Sequence, residues 1–212
     1  ASENFTLTVG GVSATGTITD DDAAPTITYV GDPAGFGNNV TVDEGAPAVF
    51  TVNLSGTSSL PHSYAMNFSD GTAAAGDDYT NVVATAPSPT LVFSNGVTFD
   101  GTNVSVPAGV TSFTITVPTI EDSVTELSET FNLNVGGITG IGTILDNDGP
   151  PTINHVGDAS GSVNNVTVLE GLPAVFTVNL SHASTSIAEF KLALTDGSAL
   201  TSDYTNACLL YT

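Results

Sequence analysis

Positive charge is almost missing from this chain. Lys191 is its one basic side chain, set against 22 acidic ones, and the formal net charge is −21. Nucleic-acid binding depends on Lys and Arg displacing counterions, and an anionic membrane surface attracts basic segments. Both partners are excluded, and a cation becomes the favoured one. Cysteine occurs once, as Cys208, so no internal disulfide can form, and its place in an apolar stretch near the chain end points to a buried structural thiol or an accident of truncation rather than a nucleophile. Tryptophan is absent, and no apolar run approaches the roughly 20 residues of a membrane helix. Residues 1–10 read as a strand rather than a secretory leader, and the expectation is a segment of a longer extracellular chain. No G-x-S-x-G, phosphate-binding glycine loop or Cys/His pair occurs. His62, His155 and His182 are scattered without zinc spacing. Paired acids are present, but no aromatic platform for a sugar accompanies them, so a glycosidase is not expected. The sequence predicts no enzyme.

What the chain does have is 40% apolar content, 22 glycines and a β-branched apolar set. That is enough apolar surface for packed cores and an all-β composition. Phe50, Val52 and Leu54 alternate with Thr51 and Asn53. Phe113, Ile115 and Val117 alternate with Thr114 and Thr116, and Phe131, Leu133 and Val135 with Asn132 and Asn134. A period of two with polar outer residues predicts half-buried antiparallel strands. "YAMNF" (64–68), "TLVF" (90–93), "NVSV" (103–106) and "TGIGTIL" (139–145) add further strands, and Asn95-Gly96 and Asp100-Gly101 read as hairpin or turn signals. About seven short strands separated by turns predict a sandwich of two sheets.

The sequence also repeats. "PTITYVGD" (25–32) returns as "PTINHVGD" (151–158), and "NNVTVDEGAPAVFTVNLS" (38–55) as "NNVTVLEGLPAVFTVNLS" (164–181). "SENFTLTVGG" (2–11) anticipates "SETFNLNVGG" (128–137), and "GTITDDD" (16–22) anticipates "GTILDND" (142–148). "DDYTN" (77–81) matches "SDYTN" (202–206) one residue closer. Three divisions follow: residues 1–24 are the end of one repeat, 25–149 a complete repeat, and 150–212 the first half of a third. A period this long means concatenated domains rather than a solenoid of short units. The terminal "ACLLYT" does not continue the repeat, and residues 82–111 read as an insertion with an extra hairpin around Asn95-Gly96.

The order "EG", "FTVNLS", "DGTA…GDDYT", "ITVPTIEDSVTELSETFNLNV" and a closing "GTILDND" resembles the Calx-β domain family. That resemblance implies an immunoglobulin-like antiparallel β-sandwich in tandem Calx-β-type repeats, and it implies calcium binding. Tandem copies and extreme acidity look more like a secreted bacterial surface protein than an animal exchanger.

Calcium prefers six to eight hard oxygen ligands. No EF-hand run is present, so the oxygens must converge from several loops. The central repeat places acids beyond strand ends at Glu44, at Asp78, at Glu121, Asp122 and Glu126, and at Asp146 and Asp148. The resemblance implies that these positions meet around more than one ion, with Asn147 assisting. Asp20, Asp22, Glu170 and Asp203 carry the same words in the partial copies and form weaker candidates. Two carboxylates 4 Å apart repel by about 1 kcal/mol in water and about 4 kcal/mol at an effective dielectric of 20, a cost that a divalent ion removes. The expected function is a calcium-rigidified module of a large extracellular or cell-surface, adhesin-like protein. The expected partners are calcium and neighbouring tandem domains, with no insertion into a membrane. The alternatives are adhesion to a host or matrix glycan or protein through the 82–111 segment, and calcium sensing for a membrane transporter.

Overall fold

The computed structural model describes residues 2–81, 90–161 and 163–205. Cys208, the terminal "ACLLYT" and residues 82–89 of the insertion lie outside the described residues. The chain forms two compact units, residues 1–148 and 149–212.

The first unit begins with a hairpin of β1 (Glu3–Val9) and β2 (Val12–Ile18). The central strands follow: β3 (Ile27–Gly31), β4 (Asn39–Asp43), β5 (Ala48–Leu54), β6 (His62–Asp70), β7 (Val92–Phe93) and β8 (Thr98–Phe99). After them come β9 (Asn103–Val106), β10 (Ser112–Val117), β11 (Glu129–Val135) and β12 (Ile138–Leu145). They build a four-stranded sheet in the order β3-β5-β10-β7 and a six-stranded sheet in the order β4-β12-β11-β6-β9-β8. No helix is present among the described residues. The two-sheet architecture expected from the alternation is the one observed.

The alternation predicted for β5, β10 and β11 sorts their side chains. Phe50, Val52, Ile115, Val117, Phe131, Leu133 and Val135 are fully buried, while the threonines and asparagines between them face outward. Phe50 and Phe131 meet edge to face across the two sheets, ring centroids 6.0 Å apart. Tyr79 stacks on Phe131 at 4.2 Å. Burial of such aromatic rings is the largest single contribution to a core of this size. The glycines of "TGIGTIL" have a packing reason. A Cβ at Gly142 would strike the Phe131 ring, and one at Gly140 would crowd Val30 and Phe50.

Two features depart from the local reading. The Asn95-Gly96 turn is real, with both residues in the left-handed region (φ 56° and 71°) and Val97 N–H donating to Ser94 O at 3.1 Å. It is not a hairpin, because β7 pairs with β10 in one sheet while β8 pairs with β9 in the other. The turn passes the chain between sheets, since two-residue strands take their partner from whichever longer strand offers an edge. The hairpin of this segment lies instead at Asp100-Gly101, between β8 and β9. There the Asp100 carboxylate accepts from Thr102 N–H at 2.9 Å and Asn103 N–H at 2.7 Å. The second departure is a parallel pair inside an otherwise antiparallel sandwich: β4 runs alongside β12, from Asn39 opposite Ile141 to Asp43 opposite Leu145. The C-terminal ends of both strands therefore emerge at the same pole.

In the second unit β13 (Ile153–Gly157) pairs antiparallel with β14 (Thr177–Leu180). The register, including an irregularity between Ile153 and His155, is that of β3 with β5, where the irregularity falls between Ile27 and Tyr29.

Candidate metal centre

The acids of the central repeat converge because of strand direction. Glu44 follows β4, and its N–H donates to Leu145 O at 2.9 Å, which extends the parallel ladder by one residue. The turn that carries it passes through Gly45 at φ 74°, where a Cβ would collide with Glu121. Asp146 and Asp148 follow β12 and form a small turn of their own, Asp148 N–H donating to Asp146 Oδ1 at 3.2 Å. Asp78 sits in the turn before Tyr79, where its Oδ2 accepts from Ala74 N–H at 2.7 Å. That turn is sewn to the segment after β10, with Thr80 N–H donating to Pro118 O at 2.9 Å and Ile120 N–H to Asp78 O at 2.9 Å. The same segment continues through Glu121, Asp122 and Glu126 into Glu129, the first residue of β11.

Two groups of three carboxylates result. Oxygens of Glu44, Asp146 and Asp148 lie within 4.8 Å of one another, and so do oxygens of Asp78, Glu126 and Glu129. One narrow cleft is lined by Glu44, Asp78, Glu126, Glu129 and Asp146, together with Leu127 and Ile144. Glu121 and Asp122 stand beside the first group rather than in it. The Asp122 carboxylate caps Val124 N–H at 2.6 Å. Asn147 acts as a donor, its Nδ2 reaching Glu44 O at 3.1 Å and Glu121 Oε2 at 3.2 Å, so that it ties three loops together. Glu129 was not among the sequence candidates. Its signal was available in the repeat, which aligns the Glu of "SENF" with the Glu of "SETF", but it was hidden as the opening residue of a strand.

The electrostatics of the pole are those of negative charge without a counter-charge. The central repeat contains no Lys or Arg. Burial, then the charges of Asp122, Glu121 and Asp146, pushes the Glu44 carboxyl up to about 7. Burial, a hydrogen bond with Asp78 and the charges of Asp78, Glu126 and Glu44 push Glu129 up to about 7. Glu126 is raised by burial and by Asp78, Asp122 and Asp146. Glu44 acts on Glu129 and Asp146 acts on Glu126, so the two groups share one field. Glu44 is only 9% exposed. Its Oε2 and Asp148 Oδ2 are buried without a hydrogen-bond partner. Buried carboxylate oxygens are normally satisfied. Unsatisfied ones beside hard oxygen donors fit a divalent cation such as calcium.

The partial copies assemble no such group among the described residues. Asp20 and Asp22 repeat only the local turn, Asp22 N–H donating to Asp20 Oδ1 at 3.4 Å. Asp203 repeats the Asp78 bond, its Oδ2 accepting from Leu200 N–H at 3.0 Å. Glu170 is exposed. No histidine joins a cluster of three metal-ligating side chains among the described residues.

Comparison with known proteins adds the family. The family model described as "Calx-beta domain" matches residues 35–109 and 107–140. Among solved structures, CBD12 from CALX1.2 is 23% identical with a TM-score of 0.40, covering 52% of this chain and 43% of that one. The apo-form Calx CBD1 domain is 23% identical with a TM-score of 0.40, covering 52% of this chain and 92% of that one. CBD12 of CALX1.1 is 21% identical with a TM-score of 0.42, covering 62% and 50%. The chain thus spans half or less of the two CBD12 structures. No curated protein matches it. Calx-beta domains bind calcium and serve binding and regulation rather than catalysis. Since the two matched segments together span half of its length, this chain belongs to the Calx-beta domain family.

Proposed function

We propose that residues 25–149 form a calcium-binding structural module of a large extracellular or cell-surface, adhesin-like protein. Residues 1–24 and 150–212 belong to its preceding and following repeats. The observation that carries this reading is the pair of orphaned buried oxygens, Glu44 Oε2 and Asp148 Oδ2, at a pole with two groups of three carboxylates. Glu44, Asp146 and Asp148 would hold one ion, and Asp78, Glu126 and Glu129 a second. Glu121 and Asp122 add negative potential, and Asn147 holds the loops in place. Bound calcium supplies the missing positive charge and binds the folded pole in preference to the unfolded chain, which stabilises the fold. The closing acids stand immediately before Gly149, Pro150 and Pro151. Ordering them restrains the joint to the next repeat, which prolines already stiffen.

The test is calorimetric titration of the chain with calcium, with Asp146→Ala/Asp148→Ala as control. Heat that disappears in the double variant supports the reading, and no heat from the parent chain overturns it. Small-angle scattering with and without chelator checks the stiffening of the joint.

A second reading, adhesion to a neutral glycan or a protein through the 82–111 segment, is favoured by one feature. A cavity of about 550 Å³ is lined by Met66, Asn67, Phe68 and Asn81 together with Phe99, Asp100 and Gly101 of that segment. Glycan-array binding that is lost on shortening the Asp100-Gly101 hairpin would support it. The transporter-sensor reading requires a multi-span membrane neighbour in the same gene.

A further inference from the structure

One side chain at the acidic pole turns nitrogen rather than oxygen toward its neighbours. Asn147 stands between Asp146 and Asp148, on the exposed side of the pole. Its Nδ2 donates to Glu44 O at 3.1 Å and to Glu121 Oε2 at 3.2 Å. An amide NH2 has two hydrogens to give, one for each of these partners. Turning the amide over would set its carbonyl oxygen against a backbone oxygen and a carboxylate, so the partners fix which end faces them. Glu121 is held close on its other side as well: a Cβ on Gly45 would lie 2.4 Å from Glu121 Oε2.

Glu44 O and Glu121 Oε2 therefore meet at a single nitrogen. Neither Glu121 nor Asp122 belongs to one of the two groups of three carboxylates. Calcium takes oxygen ligands, and an N–H donor pointing at two oxygens fills the place where such an ion would sit. The arrangement is one atom away from a third set of converging oxygens. The sequence carries that atom in a matching word: "TDDD" (19–22) has Asp21 where "LDND" (145–148) has Asn147. The demand for positive charge is not met by the amide. The Glu44 side chain is only 9% exposed, and its Oε2 is buried without a hydrogen-bond partner.

We propose that Asn147 sets how many cations the pole takes: its amide stands in for a calcium ion between Glu44 and Glu121, and an aspartate at this position opens a further calcium site there. The inference rests on the calcium reading of the pole and names the residue that fixes its capacity.

The amide acts in two opposite directions. Without metal it satisfies two oxygens that would otherwise repel, and so it holds the loops after β4, β10 and β12 together in a repeat that contains no Lys or Arg. With metal it keeps an ion out, because its hydrogens occupy the space between those oxygens. Asn147 is thus a positioning residue for the loops and a determinant of ion number, not a ligand. In Asn147→Asp a carboxylate oxygen replaces the donor. The same three oxygens then repel in the absence of metal and converge on a cation in its presence.

Equilibrium dialysis of the whole chain against calcium, which counts ions per chain, tests the proposal. Asn147→Asp is expected to bind one calcium more than the parent, and Asn147→Asp/Glu121→Gln to return to the parent count. Asn147→Ala is expected to keep the parent count, since it removes a donor and supplies no oxygen. Thermal unfolding in EDTA gives a second readout. Asn147→Asp is expected to melt a few degrees below the parent, with the deficit shrinking in about 1 M salt, where charge repulsion is screened. The smaller deficit of Asn147→Ala is expected to be insensitive to salt. Equal calcium counts in the parent and Asn147→Asp overturn the inference and leave the calcium reading standing. Loss of an ion in Asn147→Ala overturns it too, by making the Asn147 side chain a ligand. Calcium bound by neither the parent nor Asn147→Asp overturns the calcium reading beneath it.

Discussion

The central residues 25–148 and the later residues that repeat their sequence words share their local bonds and differ in their burial. Tyr79 donates to Asp70 at 2.6 Å, and Tyr204 donates to Asp196 at 2.6 Å. Asp78 accepts from Ala74 N–H, and Asp203 accepts from Leu200 N–H. Even the one-residue shortening between the words leaves both bonds intact. But Tyr79 is fully buried against Phe131, whereas Phe176, the counterpart of the fully buried Phe50, is 53% exposed. Burial is the main reason the Tyr79 hydroxyl is pushed up, while for Tyr204 the main reason is its hydrogen bond to Asp196. Short-range bonds are written in neighbouring residues and recur wherever those residues recur. Burial needs partners far away in sequence.

The sharpest way to break the comparison is to cut the same ring from both copies. Phe131→Ala is expected to cost about 3–5 kcal/mol, because it leaves a cavity under Phe50 and Tyr79. Phe5→Ala is expected to change stability by less than about 0.5 kcal/mol. Urea unfolding followed by tyrosine fluorescence measures both. Equal effects would mean that the hairpin is already buried.

Calcium should widen the contrast. At about a hundredfold excess over its dissociation constant the ion contributes about 2.7 kcal/mol per site, which raises Tm by several degrees. Scanning calorimetry should show that gain in the parent chain and lose about half of it in Glu129→Gln, which removes a ligand from one of the two proposed groups.

pH supplies the next test. Glu44 and Glu129 are held at about 7, above the ordinary glutamate value of 4.5. Between those values the folded protein holds protons that the unfolded chain has released, so metal-free stability is greatest below about pH 4.5 and falls as pH rises through 7. A tenfold difference in proton affinity between the folded and unfolded chain corresponds to about 1.4 kcal/mol. With screening at the open edge of the pole, a total loss of about 1–3 kcal/mol is expected. Urea midpoints at several pH values in EDTA measure it, and saturating calcium should reverse the slope by favouring the ionised ligands.

Smaller still is Tyr79→Phe, which leaves Asp70 short of a donor and is expected to cost about 1–2 kcal/mol. Tyr204→Phe should cost a few tenths at most, because water can replace the lost hydroxyl. Gly45→Ala forces a left-handed backbone and a clash with Glu121, at about 1 kcal/mol. It should lower calcium affinity more than it lowers metal-free stability.

Much of this was legible in the order of residues. Alternation at Phe50, Phe113 and Phe131 marked the strands and their inner faces, because a pleated strand turns successive side chains to opposite sides. The repeat marked where the acids recur. Less legible was the destination of Asn95-Gly96, since a tight turn reverses the chain without choosing its sheet. Glu129 was missed because a carboxylate on the first residue of a strand looks like an ordinary outward position.

By itself the sequence determined the strands, the turns, the acidic words at strand ends and the local bonds that recur from copy to copy, since each depends on residues a few positions apart. Only the tertiary structure decided which acids meet. The parallel pairing of β4 with β12 sets Glu44 beside Asp146 and Asp148 across a hundred residues of chain. That choice is made by the closing hairpin inserting between β4 and β6 and burying Phe131.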